Sequence, residues 1–232
     1  MSKVTGEMPE GEFFILPDGK VVPIEDADGM YSFLVGRSEN AEKVKAMLWG
    51  IAEECLKKEN LRAAHAYFDK LLSLADTPRE KLRWLGKMAV IGERLRDYSS
   101  AAKAYSSALD LPQESSEAEY FLNNNLGLCL NQLGKHAEAE KHCRTAIEIA
   151  PEYHNAHKNL GVALQGLGRY ADAAVCFIRA TKLSPGDPRA LQHLKDLIAV
   201  HKGIFEEIPD LLAQLSECQR AVYSGEGEPP VQ

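Results

Sequence analysis

Two stretches of the chain, NLGLCLNQLGKHAEAEKHCRTAIEIAP over residues 125–151 and NLGVALQGLGRYADAAVCFIRATKLSP over residues 159–185, align without a gap. Their first glycines, Gly127 and Gly161, are 34 residues apart, which is the period of a solenoid unit made of two helices. Each copy continues with a Leu-Gly pair, small residues in the next helical stretch and a closing proline. The repeat therefore predicts stacked helical pairs.

Small and large residues have different positions within each copy. Gly127, Gly161, Ala139 and Ala173 are predicted to let two antiparallel helices approach closely. Larger side chains such as Phe177 are predicted to fill the space between neighbouring pairs. These residues indicate the fold and do not identify a ligand.

Weaker copies precede the two clear ones. Apolar residues return every three or four positions from Ala41 to Ala75 and from Arg79 to Pro112, with Ala52 and Ala89 in place of the glycines. We therefore predict four helical pairs within residues 41–187, at about 45–78, 82–115, 120–153 and 154–187. Residues 188–222 are predicted to form capping helices, the last one continuous over about 204–222, and residues 223–232 a disordered tail.

Residues 1–40 differ from the repeats. The apolar runs Phe13–Leu16 and Val21–Ile24 flank Pro17-Asp18-Gly19, which predicts a short β-hairpin in a non-helical arm. This arm could cap the first repeat, lie in a groove as a lid, or contact another protomer. We favour the cap, because a bare apolar edge promotes aggregation.

Charge and composition exclude several classes of function. The net charge is −7 and basic residues are interspersed with acidic ones, so nucleic-acid binding is not expected. No apolar run approaches the roughly 20 residues that span a bilayer, and no signal peptide is evident. The five cysteines lack a CxxC spacing and are predicted to be free, mostly buried thiols. These features indicate a cytoplasmic protein.

Catalytic and metal sites are not expected. No glycine-rich phosphate loop, GxSxG or HExxH motif occurs in the sequence. His154 and His157 lie three residues apart, and His142 precedes Cys143, but a structural zinc site needs four converging ligands. We predict no metal, no cofactor and no enzymatic activity.

The 34-residue period, the NLG motifs, the Leu-Gly pairs and the closing prolines resemble the tetratricopeptide-repeat family. This resemblance implies an all-α, right-handed superhelix in which the first helix of each repeat lines a concave groove that binds other proteins. On that basis the groove holds six basic and three acidic side chains, a net charge of +3 within an acidic protein. Such segregation favours an acidic partner segment, unless some of these cations pair with local carboxylates at the rim.

The resemblance also assigns roles to individual groove residues. Asn125 and Asn159 hold equivalent positions and are expected to hydrogen-bond the main chain of an extended ligand. The predicted contacts for ligand carboxylates are Arg83, Lys87, Arg94, Lys158 and Arg189. The predicted apolar contacts are Phe121, Leu128 and Val162.

Some members of the family grip a peptide's terminal carboxylate with paired basic and asparagine side chains. Asn159, Arg189 and His193 match part of that pattern. Asn124 and Leu128 stand where it has lysine and asparagine, so a complete clamp is absent.

The sequence thus predicts a non-enzymatic adaptor or chaperone-like module that holds an extended, acidic protein segment. Two alternatives stay open. One is a self-assembling structural protein that uses the arm or the groove to form homo-oligomers. The other is an accessory protein that delivers substrates to an enzyme.

Overall fold

The computed structural model describes residues 13–15, 21–23, 25–37 and 41–223. The chain divides into two compact units, Met1–Asp97 and Tyr98–Gln232. The first unit contains strands β1 (Phe13–Ile15) and β2 (Val21–Pro23) and helices α1 (Ala27–Arg37), α2 (Ala41–Lys57), α3 (Leu61–Ser73) and α4 (Pro78–Arg94). The second unit contains α5 (Tyr98–Leu109), α6 (Ser116–Gln132), α7 (His136–Ile149), α8 (His154–Gly166), α9 (Tyr170–Leu183), α10 (Arg189–Val200), α11 (Ile204–Glu207) and α12 (Leu211–Tyr223).

The predicted all-α architecture is confirmed. The boundary between the two units falls between α4 and α5, inside the second predicted pair. Among the helices that the structure describes, none is long and apolar enough to cross a membrane.

The N-terminal segment of the first unit packs onto the first helical pair. Strands β1 and β2 are antiparallel, with Phe14 opposite Val22. Val22, together with Met30 and Leu34 of α1, is buried in one cluster with Val44 and Leu48 of α2. The described contacts are those of Val22 and α1, and the role of the apolar run Phe13–Leu16 stays a prediction. Leu16, Pro17-Asp18-Gly19 and Ile24 lie outside the described residues.

The non-helical part of the arm is shorter than expected, because Ala27–Arg37 form helix α1. The Asp26 carboxylate accepts a hydrogen bond from the backbone N–H of Gly29 at 2.7 Å and so satisfies one of the free donors at the helix start. Met30 and Leu34, one turn apart, supply the buried face. Gly29 and Gly36 lower the helix propensity of this segment, which is why the sequence pattern did not indicate a helix here.

The turns between paired helices share one conformation. The residue after the C-cap has a positive φ at Glu59, Arg96, Gly134 and Gly168. In the turn between α6 and α7, the N–H of Lys135 bonds the carbonyl of Leu130 at 2.9 Å and that of Gly134 bonds Asn131 at 3.0 Å. This is the Schellman arrangement, in which glycine is favoured because it lacks a Cβ. The Leu-Gly pairs of the repeat are therefore helix stops.

Close helix contact explains the glycines of the NLG motifs. A Cβ added to Gly127 would lie 2.5 Å from Cys143 Sγ, and one added to Gly161 would lie 2.5 Å from Phe177 Cε1. Cys143 and Phe177 are fully buried at equivalent positions of α7 and α9. The first helix of each pair thus packs directly on the second. All five cysteines of the chain are thiols outside any disulfide, and four are buried.

Helices α10 to α12 pack on the last helical pair of the second unit. Leu191, Leu194 and Leu197 of α10 and Leu211 and Cys218 of α12 join the buried cluster of α8 and α9. The single helix expected over 204–222 is instead divided into α11 and α12. Pro209 accounts for the break, because proline disfavours the helical conformation of the preceding residue. The tail 224–232 lies outside the described residues.

Candidate functional site

The candidate site lies on the first helices of the second unit, α6, α8 and α10. Residues 34 apart occupy matching positions on these helices, as in the series Phe121, Asn155 and Arg189. Asn159 of α8 bonds Asn124 of α6, and Arg189 bonds Asn155 of α8. We call the resulting surface the first-helix face; its residues are Phe121, Asn124, Asn125, Leu128, Asn155, Lys158, Asn159, Val162, Arg189 and His193.

The asparagines of this face bond one another. Asn159 Nδ2 donates to Asn124 Oδ1 at 3.0 Å, and Asn124 Nδ2 donates to Asn125 Oδ1 at 2.9 Å. Asn125 Nδ2 donates in turn to the Tyr105 hydroxyl at 3.3 Å, and Asn131 Nδ2 donates to the backbone carbonyl of Asn159 at 2.8 Å. We call Asn124, Asn125, Asn131 and Asn159 the asparagine network.

The hydrogen bonds within the network determine which asparagine side-chain atoms are available to a ligand. Both hydrogen bonds that Asn159 Nδ2 donates go to Asn124, and the residue is only 4% exposed. No described residue hydrogen-bonds Asn159 Oδ1, which leaves an acceptor oriented by the network. Contact of Asn125 and Asn159 with a ligand main chain stays a prediction. Asn159 Oδ1 is the acceptor that is available for it.

Asn159→Ala is expected to lower the free energy of unfolding by about 1–3 kcal/mol, because it leaves the buried Asn124 Oδ1 without its donor. Urea unfolding of the variant measures this. Gln165→Ala is the control, since Gln165 lies six residues further along α8 and makes no side-chain hydrogen bond to a described residue; its effect should stay within about 0.5 kcal/mol. Equal stability of both variants would show that the network contributes nothing.

The burial of Lys158 is the least expected feature of the face. The residue is 7% exposed, and its Nζ contacts only Asn155 Oδ1 at 3.3 Å; no described carboxylate lies within salt-bridge distance. Burial lowers the pKa of Lys158, and the positive charge of Arg189 lowers it further, against a smaller opposite effect of Asp187. The protein therefore holds a buried ammonium group without a paired anion, which is energetically unfavourable.

Arg189 and His193 of α10 lie beside Lys158. The Arg189 guanidinium binds Asp187 with both Nε, at 2.8 Å to Oδ1, and Nη2, at 2.6 Å to Oδ2. Its Nη2 also contacts Asn155 Oδ1 at 3.4 Å. The His193 ring stacks on Phe177 at 5.2 Å, and burial together with the charge of Lys158 lowers its pKa. Asn155 belongs to the predicted groove, because the 34-residue spacing from Phe121 to Arg189 passes through it, but the sequence assigned it no ligand contact.

The apolar members of the face are only partly covered. The side chain of Phe121 is 56% exposed, one turn before Asn124 and Asn125 on the same side of α6. Leu128 and Val162 are half-buried at matching positions of α6 and α8. An exposed aromatic ring next to ordered amide groups is a surface that protein ligands use.

The remaining predicted cations belong to the first unit. Lys87 pairs with Glu53 at 3.2 Å, and Arg94 pairs with Glu59. The Arg83 guanidinium lies over the Trp49 ring at 4.3 Å. Two of these three cations therefore already face carboxylates.

The histidines that sequence analysis considered for a metal have other neighbours. His154 Nε2 contacts Asp187 Oδ2 at 3.1 Å, and His157 Nε2 lies 2.8 Å from the carbonyl of Pro151. His142 Nδ1 contacts Asn123 Oδ1 at 2.9 Å. Among the described residues no three histidine, cysteine or acidic side chains converge on a point.

Comparison with known proteins agrees with this architecture. Residues 119–186 match the family model described as Tetratricopeptide repeat. A crystal structure of MamA protein is similar with a TM-score of 0.62 and 19% identity, over 81% of this chain and 98% of that one. A MamA fragment from Desulfovibrio magneticus RS-1 has a TM-score of 0.60 and 19% identity, over 79% and 97%. No curated protein sequence matches the chain.

The structural matches show the fold, and the family model covers the part of the first-helix face that lies on α6 and α8; Arg189 and His193 of α10 lie beyond it. The matched residues contain the NLG motifs, the Schellman turns and the close contacts at Gly127 and Gly161. Residues 119–186 of the chain therefore form a region of tetratricopeptide repeats.

Proposed function

We propose that the chain is a non-enzymatic interaction module that holds an extended segment of another protein along the first-helix face. The observation that carries this proposal is the exposed Phe121 side chain, on the same face as half-buried Leu128 and Val162 and the asparagine network. These residues offer apolar contact and an oriented hydrogen-bond acceptor on one surface.

An extended segment fits such a surface because its backbone N–H and C=O groups are unpaired before binding. Asn159 Oδ1 can accept a hydrogen bond from a main-chain N–H whatever the sequence of the ligand. Ordering the segment offsets part of the contact energy, so we expect a dissociation constant of about 1 μM or weaker.

The bound segment is acidic in this proposal, and the charge would be recognised by Lys158. Arg189 adds little net charge, because its guanidinium is paired with Asp187. Arg83, Lys87 and Arg94 lie in the other unit, and two of them are paired with carboxylates, so they contribute less to the proposal. The protein would act as an adaptor or chaperone-like module in the cytoplasm.

The test begins with selection of short peptides from a random library on the intact chain, followed by affinity measurements on the variant Phe121→Ala. We expect this variant to weaken binding about tenfold or more, as for a central aromatic contact. Val175→Ala is the matched control, because Val175 of α9 is similarly exposed at 55% but lies on a second helix. Its affinity should stay within about twofold of wild type.

Two results would contradict the proposal. One is a selection that returns no binder, and the other is equal binding by wild type and Phe121→Ala. Sedimentation over a range of protein concentrations examines the self-assembly alternative. Oligomers that Phe121→Ala disrupts would show that the face binds a second copy of the chain.

A further inference from the structure

The buried ammonium of Lys158 has no counter-ion among the described residues. An unpaired charge at this depth lowers stability unless a ligand compensates it. Asn155 Oδ1, its neighbour at 3.3 Å, takes one of three ammonium donors. The other donors are left for a group that arrives with the ligand.

The charges around Lys158 indicate which group fits. Arg189 and Asp187 compensate each other through two close hydrogen bonds. Burial and the charge of Lys158 both lower the pKa of His193, which favours its neutral form. The surroundings therefore carry about one uncompensated positive charge, which matches the single negative charge of a carboxylate better than a phosphate dianion.

Phe121 provides a second fixed point for the same ligand. Phe121 lies on α6, whereas Lys158 lies on the neighbouring α8. On α8, Lys158 is about one turn beyond Asn155, the position that matches Phe121. Axes of packed helices are about 8–10 Å apart, and an extended chain advances about 3.3 Å per residue. A ligand residue at Phe121 and another at Lys158 are thus separated by about three positions.

We infer that Lys158 pairs with an Asp or Glu side chain of the bound segment, about three residues from the apolar residue that packs on Phe121. This inference rests on the proposed function and adds a recognition pattern to it. The pattern is one apolar and one acidic residue at a fixed spacing.

The test is a double-mutant cycle between Lys158 and the acidic residue of the selected peptides. Lys158→Met keeps the side-chain length and removes the charge, and the matched control is Lys141→Met on the exposed side of α7. Replacing the peptide's Glu by Gln should weaken binding to wild type and to Lys141→Met by about tenfold. The same replacement should have no effect on binding to Lys158→Met.

A second series moves the acidic residue along the peptide relative to the apolar one. Binding should be strongest at a separation of about three residues and should lose this preference in Lys158→Met. Thermal unfolding verifies that the variant is folded. Because the lowered pKa means that the folded state binds this proton less readily than the unfolded chain, losing the charge should maintain or raise stability at neutral pH.

The outcomes separate the two claims. Peptides that bind through Phe121 but lack an acidic residue, or whose Glu→Gln change weakens wild type and Lys158→Met equally, would overturn the inference and leave the proposed function standing. Absence of any binder would overturn both.

Discussion

Phe177→Ala is expected to lower the free energy of unfolding of the second unit by about 3–5 kcal/mol. The Phe177 ring is fully buried, packs on the bare backbone of Gly161 and stacks on His193. Its removal would leave a cavity between α8, α9 and α10 that helices held by short turns can close only partly. Urea unfolding followed by circular dichroism measures the loss.

Phe121→Ala is the matched control, because it makes the same substitution at an exposed position of the same unit. Its effect on stability should stay within about 0.5 kcal/mol. The two phenylalanines are therefore expected to have opposite roles, since Phe177 supports the fold and Phe121 is proposed to bind the ligand. Equal stability of the two variants would contradict the packing described for α8 and α9.

Gly161→Ala is expected to lower the free energy of unfolding by about 1–3 kcal/mol through overpacking. The added Cβ would lie 2.5 to 3.0 Å from three atoms of the fully buried Phe177 ring. The loss should appear although alanine is intrinsically better than glycine within a helix by about 1 kcal/mol. The urea midpoint of the variant provides the measurement.

Gly50→Ala is the control for this prediction. Gly50 lies within α2, and an added Cβ would meet nothing within 4 Å, so the variant should be unchanged or stabilised by up to about 1 kcal/mol. In a Phe177→Ala background the clash partner is absent, and Gly161→Ala should lose its destabilising effect. A harmless Gly161→Ala in the wild-type background would mean that α8 and α9 are further apart than described.

Much of the fold was predictable from the spacing of small residues. The glycine of each NLG motif and the Leu-Gly pair correspond to a close helix contact and a helix stop, and both depend on the absence of a Cβ. Such backbone constraints require glycine and can therefore be recognised in the sequence. Helix α1 was harder to predict, because its two glycines disfavour a helix. Packing of Met30 and Leu34 on α2 compensates for this low helix propensity.

The site was less predictable because its chemistry depends on contacts between helices. The sequence marked Asn125 and Asn159 as equivalent, but it did not show that Asn159 donates to Asn124 across two helices. The sequence placed Lys158 on a first helix, but it did not show that the side chain is buried. The pairing of Arg189 with Asp187 likewise depends on the turn between α9 and α10. Sequence periodicity gives positions on a face, whereas burial and pairing require the packed structure.

Hydrogen exchange of the chain with and without a selected peptide tests the location of the binding site most directly. We predict that bound peptide slows exchange in α6, α8 and α10 around Phe121, Asn159 and Arg189. Little change is expected on the outer positions of α7 and α9, such as Val175. Slowing confined to α7 and α9, or to the first unit, would contradict binding at the first-helix face.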